Sequence, residues 1–283
     1  MAGPEKNMKV KDFDLRQTLE CGQCFNFEKL SDQEYAVVAF DRLLHVRQMG
    51  DELIFLNAGE EDINNIWIPY FDLNRDYGEI KDAVCKADER LKPITEQYGG
   101  IRILNQDFTE TLISFIISQN KNITHIKQIV RLISENKGRP LGIIGGREYY
   151  SFPKLSRLNE ITEGDFRSLK TGFRAPYLRD AIDRMVSGEI DGDVLRDKSF
   201  EEAKQDLTKI KGVGDKVANC VLLFSLGFRG AFPVDVWIKR IMEELYFHKD
   251  TPKETIEKFA AEKFGQYGGY AQQYLFIYAR EKA

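Results

Sequence analysis

The sequence predicts an α+β protein in two parts: an N-terminal antiparallel β-rich domain, residues 1–95, packed on a larger all-helical domain, residues 96–283. Three observations carry this. Short β-rich runs alternate with tight turns in the first third, and helical periodicity takes over from about residue 79. The 283 residues also suffice for two cores of ordinary size. Neither a low-complexity linker nor an internal repeat interrupts the chain.

The strands come first. "EYAVVAF" (34–40), "LLHVRQM" (43–49) and "LIFL" (53–56) are separated only by "DR" and "GDE". Connections that short permit a hairpin but no crossover, so the strands form an antiparallel meander. Farther on, "QDFTETLISFIISQN" opens with Asp107 as a cap and places residues 112, 113, 116 and 117 around one helical face. "NITHIKQIVRLISEN" continues the helical period, and "APYLRDAIDRMVSG" ends on a helix-stopping glycine. "SFEEAKQDLTKI" begins with Ser199 and carries Glu202 three residues on, a capping-box start.

Composition narrows the classes. Hydrophobic residues make up 42% and charged residues 30%, the balance of a soluble globular protein. The longest apolar runs, such as "VLLFSLGF", are too short to span a membrane, and "MAGPEKNMKV" lacks the apolar core of a signal peptide. No membrane partner and no export are therefore expected. Four cysteines (21, 24, 85 and 220) are too few for a disulfide framework, which fits a reducing compartment. Cys21 and Cys24 form a C-x-x-C without a second pair, and the histidines at 45, 125 and 248 show no metal spacing. The C-x-x-C reads as structural.

The net charge of −4 by itself disfavours a nucleic-acid partner, yet its distribution does not. Residues 1–95 hold 12 Lys and Arg against 19 Asp and Glu, whereas the remainder holds 29 against 26. Residues 119–140 carry five basic groups and only Glu135. Local patches set the field at a binding face, so an acidic total leaves DNA open.

The most informative stretch is "KIKGVGDKVANCVLLF", residues 209–224. One helix ends near Thr208, a tight turn follows, and a second helix starts near Gly214. Gly212 and Gly214 permit the turn and leave backbone N–H groups bare for a phosphate at a helix N-terminus. Lys216 falls in the first turn of that helix on its inward side, with Cys220 one turn later. An amine attacks carbon only when neutral, and both burial and a helix N-terminus disfavour the ammonium. The position therefore suits a nucleophile, against the commoner alternative of a salt-bridged structural lysine. Downstream, "GAFPVDVWIKRIMEEL" sets Asp235 just before a helical run, where it reads as an N-cap.

Hairpin, Lys216 and the P-V-D loop together resemble the helix-hairpin-helix (GPD) DNA glycosylases, with the motif at about residues 200–226. In that superfamily the lysine marks the bifunctional branch, with glycosylase and AP-lyase activity. Endonuclease III and the adenine glycosylases usually carry a four-cysteine iron–sulfur loop after this region. No cysteine follows Cys220 here, so no iron–sulfur cluster is expected. "TLECGQCFNF", "IRILNQDFTETLISFIISQNKNI", "YYSFPKL", "TGFRAPYL" and "GGYAQQYLFIYAR" are similar, in order, to segments of the 8-oxoguanine DNA glycosylases.

The resemblance implies a role for each residue. Lys216 attacks and Asp235 supports it. The Gly22 carbonyl accepts the N7 hydrogen that 8-oxoguanine has and guanine lacks, Gln272 reads the Watson–Crick edge, and Phe276 and Cys220 cover the two faces of the base. Without the resemblance, Phe276 and Cys220 would read as core. Asn120, Phe173 and Arg174 fill the vacated space and hold the orphaned base. Backbone contacts fall to Gly212, Gly214, Lys211 and Trp237. Carbonyls of Thr208, Ile210 and Val213 hold a structural monovalent cation, with no other cofactor required.

The sequence departs from the family at Lys211, where proline is usual, and at Trp237, where histidine is common. It also has His125 where an arginine reads the orphaned cytosine. A monomer acting on double-stranded DNA containing 8-oxoguanine is expected, located with the nucleoid of a bacterium or in the nucleus of a eukaryote. The rivals are a helix-hairpin-helix glycosylase for another lesion and a non-catalytic DNA-binding module. The latter has no use for Lys216, Gln272 and Phe276 together.

Overall fold

The computed structural model describes residues 5–282. Five strands form one antiparallel sheet: β1 (Lys6–Lys9), β2 (Phe27–Lys29), β3 (Glu34–Ala39), β4 (Arg42–Met49) and β5 (Glu52–Phe55), in the order β1-β5-β4-β3-β2. The three strands legible in the sequence are its centre. Tyr35 and Val37 pair with Val46 and Leu44, and these alternate residues turn to one face against Trp67 and Phe71. The other face of β3, Ala36 and Val38, is covered by Ile144 and Tyr149 of a second hairpin, β6 (Pro140–Ile144) and β7 (Arg147–Tyr150). With both faces covered, β3 is apolar almost throughout instead of alternating. The edge strands and the second hairpin have no clear sequence signal. "KNMK" and "FEK" are short and polar, and become strands only by pairing with a formed neighbour.

The helices that frame the site are α1 (Tyr77–Ala87), α2 (Phe108–Ile117), α3 (Ile123–Lys137), α4 (Ala175–Val186), α5 (Phe200–Thr208), α6 (Asp215–Ser225), α7 (Val236–Met242), α8 (Lys253–Phe264) and α9 (Gly268–Glu281). Their starts obey local chemistry. Asp107 accepts from the Glu110 amide at 2.9 Å, Asn122 from the His125 amide at 2.9 Å, and Ser199 with Glu202 closes a capping box. Both α2 and α6 are buried nearly all round, so they form the centre of the helical body, with Phe115 stacked on Phe224 at 5.5 Å. Tyr77, Ile80 and Val84 of α1 join this core too, although they precede it by many residues. α9 approaches α6 closely at Gly269, where a Cβ would lie 2.3 Å from Leu223 Cδ1.

Arg102 ties sheet to helices. It is 3% exposed, donates to the carbonyls of Lys11, Asp12, Asp72 and Arg75, and lies 4.3 Å over the Tyr77 ring. Among the described residues, no helix is long and apolar enough to cross a membrane.

Candidate active site

A cleft of about 1150 Å³ opens where the N-terminal segment, the α2–α3 loop, the hairpin, the start of α7 and one face of α9 meet. Gly22, Asn120, Gly214, Lys216, Asp235, Trp237 and Phe276 all line it.

The hairpin forms as its sequence dictates. α5 ends at Thr208, and the Val213 amide closes the turn on the Ile210 carbonyl at 3.0 Å. Gly212 has φ +75, and a Cβ there would lie 2.3 Å from Tyr177 Cδ2, so backbone conformation and space both require glycine. The exposed Lys211 anchors this turn through its amide, which donates to Asp180 Oδ2 at 2.8 Å. Gly214 caps α6, and Lys216 is the second residue of that helix.

Lys216 Nζ donates to Ser118 Oγ at 3.4 Å and lies 5.1 Å from the centre of the Phe115 ring. Lys216 is half-buried on the inward side that helical phase gives it, and it borders an open cleft that phase cannot reveal. Among the described residues it makes no ion pair. Asp235 caps α7, accepting from the amides of Trp237 (3.0 Å) and Ile238 (2.9 Å), both through Oδ1. Its Oδ2 has no donor among the described residues. Cys220 is buried, and burial pushes its thiol up to about 11; the Lys216 charge opposes that shift and the Asp235 charge adds to it. A thiol raised that far stays protonated at neutral pH.

Gly22 has φ +88, and a Cβ on it would meet Ile123 Cδ1 at 3.5 Å, Phe276 Cε1 at 3.6 Å and Arg280 Nη1 at 3.8 Å. Arg280 holds this turn by donating to the Glu20 carbonyl at 2.9 Å. The bare Gly22 backbone thus lies beside the edge of the Phe276 ring at the cleft wall. Gln272 does not line the cleft: it is 4% exposed, donates to the Pro233 carbonyl at 3.1 Å and accepts from Gln273 at 2.7 Å. Cys220 likewise lies behind the wall.

The expected wedge lies apart from the cleft lining. Gly172 (φ +63) opens the turn Gly172–Arg174, leaving Phe173 51% exposed and edge-on to Tyr177 at 6.2 Å. Arg174 does not project with it, a correction to that expectation. It is 3% exposed, donates to the Thr171 carbonyl at 3.2 Å and to the Gln119 carbonyl, and lies 4.2 Å over the Phe173 ring. Side-chain reach toward two carbonyls wins over projection. Arg174 thus latches the Phe173 turn to the loop carrying Asn120, an exposed residue at φ +50. His125 is also exposed and faces an adjoining cleft. Ser118, Tyr177, Asp180 and Arg280 have no motif to announce them. Their parts depend on contacts across the fold.

Helix pair, glycine hairpin, inward lysine and capping aspartate define a class of DNA-repair proteins. The family model of HhH-GPD superfamily base excision DNA repair proteins matches residues 113–266, and that of the 8-oxoguanine DNA glycosylase N-terminal domain matches residues 6–112. The N-glycosylase/DNA lyase OGG1 of Arabidopsis thaliana is 31% identical over 94% of this chain and 77% of its own length. The N-glycosylase/DNA lyase of Saccharomyces cerevisiae is 29% identical over 93% and 82%. Among solved structures, the 8-oxoguanine glycosylase/lyase of Clostridium acetobutylicum, in complex with double-stranded DNA containing cytosine opposite 8-oxoguanine, superposes with a TM-score of 0.93. It is 41% identical and covers 99% of both chains. The chain belongs to the HhH-GPD superfamily of base excision DNA repair proteins, in its 8-oxoguanine glycosylase branch.

Proposed function

We propose that this protein is a bifunctional DNA glycosylase and AP lyase that excises 8-oxoguanine from duplex DNA. The observation that carries the reading is Lys216: an amine on the cleft wall without an ion pair among the described residues, in a cleft that Asp235, with only one carboxylate oxygen engaged among those residues, also lines. A structural lysine would be paired.

In this reading the hairpin amides at Gly212 and Gly214, with Lys211 and Trp237, hold the backbone of the lesion strand. The flipped base enters the cleft with its edge toward Gly22 and one face on Phe276. The Gly22 carbonyl accepts the N7 hydrogen of 8-oxoguanine and would face a lone pair in guanine, which turns an attraction into a repulsion. Phe276 stacks on one face of the base, and Cys220 backs the other. Gln272 meets the Watson–Crick edge by exchanging its bond to Pro233 for one to the base. Asn120, His125 and Phe173 occupy the gap and hold the orphaned base, and Arg174 joins them by exchanging its bond to the Gln119 carbonyl for one to the base.

Lys216 Nζ, as the free amine, forms a bond to C1′ while the glycosidic bond breaks and its electron pair leaves with the base, which takes up a proton. Asp235 Oδ2 faces the positive charge that develops on the sugar. Ring opening yields the Schiff base; loss of a C2′ proton then breaks the C3′–O bond, and water releases the amine. The carbonyls of Thr208 and Val213 accept no backbone hydrogen bond among the described residues, and that of Ile210 accepts one. Such an oxygen donor set suits a hard monovalent cation, which when bound would add positive charge beneath a phosphate.

The test is cleavage of duplexes containing 8-oxoguanine, guanine and other lesions side by side, with borohydride trapping. A covalent adduct and preferred release of 8-oxoguanine are expected. Binding without an adduct overturns the catalytic reading, and stronger release of another base overturns the substrate.

A further inference from the structure

Beside the reaction cleft lies a second one of about 500 Å³, which shares Phe25, Phe27, Thr124 and Lys127 with the first. It takes two of the five basic residues noted at 119–140. Lys127 and Arg131, one turn apart on α3, face it together with Arg147 from the β6–β7 hairpin. The one carboxylate in the lining, Glu28, is already engaged by Arg147 and by the Tyr149 hydroxyl at 3.3 Å. Lys127 has no ion-pair partner among the described residues; its Nζ rests 3.6 Å from the centre of the Phe27 ring. Arg131 pairs only loosely with Glu135, at 3.6 Å with both side chains more than 40% exposed. A purely structural cluster would balance its charges, and this one leaves two cations facing a cavity in a chain of net charge −4. Burial also lowers the Lys127 ammonium from its ordinary range, a cost that an arriving anion would offset.

The position of the cleft identifies the anion. His125 lines it, and Asn120 lines the cleft next door, so it lies on the side assigned to the orphaned base. We propose that this basic cleft holds phosphates of the undamaged strand as that strand runs past Asn120 and His125. The proposal rests on duplex DNA being the partner. It gives the protein a grip on the second strand that is independent of lesion and base, and hence a preference for duplex over single strand.

The experiment measures binding of the full-length chain to an undamaged duplex and to one of its single strands across a salt series. The proteins compared are the natural chain, Arg131→Gln and Lys127→Met/Arg131→Gln. Each phosphate contact contributes about 0.9 to the slope of log affinity against log salt on duplex DNA. The slope should therefore fall by about one unit in the single variant and about two in the double variant, with the single-strand slope unchanged. An unchanged duplex slope, or an equal fall on both substrates, overturns the proposal. Arg131 is exposed, so its single variant decides the matter even if the double variant folds poorly. Because undamaged DNA is the probe, a failure of the 8-oxoguanine reading leaves this result interpretable. A normal excision assay with an unchanged slope would sink the second-strand contact alone.

Discussion

The two sides of the reaction cleft are built differently. The side bearing Lys216 and Asp235 consists of helix starts: Gly214 caps α6, Asp235 caps α7, and each functional residue lies within two positions of a cap. The side bearing Asn120, Phe173 and Arg174 consists of loops, with left-handed backbone at Asn120, Lys170 and Gly172 and one buried arginine as latch. Bond-making needs atoms held to fractions of an ångström, and a helix end packed in a core supplies that rigidity. Filling a gap and reading an opposite base require adaptable contacts, and loops on a fixed scaffold tolerate change there. Of the departures from the family, His125 adjoins the loop side, in the first turn of α3, whereas Lys211 and Trp237 adjoin the helix starts.

Five substitutions test this division. Lys216→Gln should have the largest effect, abolishing base excision and borohydride trapping while duplex binding persists, since the hairpin amides remain. An adduct formed by this variant would identify another amine as nucleophile. Asp235→Asn separates charge from cap, because asparagine can still accept from the Trp237 and Ile238 amides. Excision should fall about 10²–10³-fold, as for loss of one preorganised electrostatic group, with little change in Tm. Excision within a fewfold of the natural rate would reduce Asp235 to a capping residue.

Gln272→Ala and Phe276→Ala should weaken 8-oxoguanine excision about tenfold or more, since paired hydrogen bonds and stacking are each worth roughly 1–3 kcal/mol. Incision at a pre-formed abasic site, which offers no base to read, should change far less. Equal losses on both substrates would indicate a damaged fold.

The smallest effect is expected at His125. A guanidinium fork engages the O2 and N3 acceptors of cytosine together, whereas imidazole presents one N–H, or two divergent ones. Excision opposite C, A, G and T should therefore be less selective in the natural protein than in His125→Arg. Equal selectivity in the two would remove His125 from opposite-base reading and shift that task to Asn120 and Arg174.

Legibility followed the range of the interactions. The caps at Asp107 and Ser199, the glycine hairpin and the Asp235 start were readable because each bond spans three residues or so. The central strands were readable from turn signals between them. Edge strands β1 and β2 were not, because their residues carry no period of their own. Gln272 and Arg174 were recognisable as residue types in matching segments, yet their present partners, the carbonyls of Pro233 and Gln119, depend on how distant loops dock.

The sequence by itself determined the central strands, the helix starts capped by their own side chains and the glycine hairpin. These rest on backbone hydrogen bonds and steric limits that act within a turn or two. Only the tertiary structure decided that Lys216 meets Ser118, 98 residues away, at an open wall. It likewise decided that Arg174 turns inward as a latch, that Arg102 joins sheet to helices, and that Lys127, Arg131 and Arg147 converge on one cleft. Those outcomes depend on which distant groups exclude water and which carbonyls remain within reach once the helices have packed.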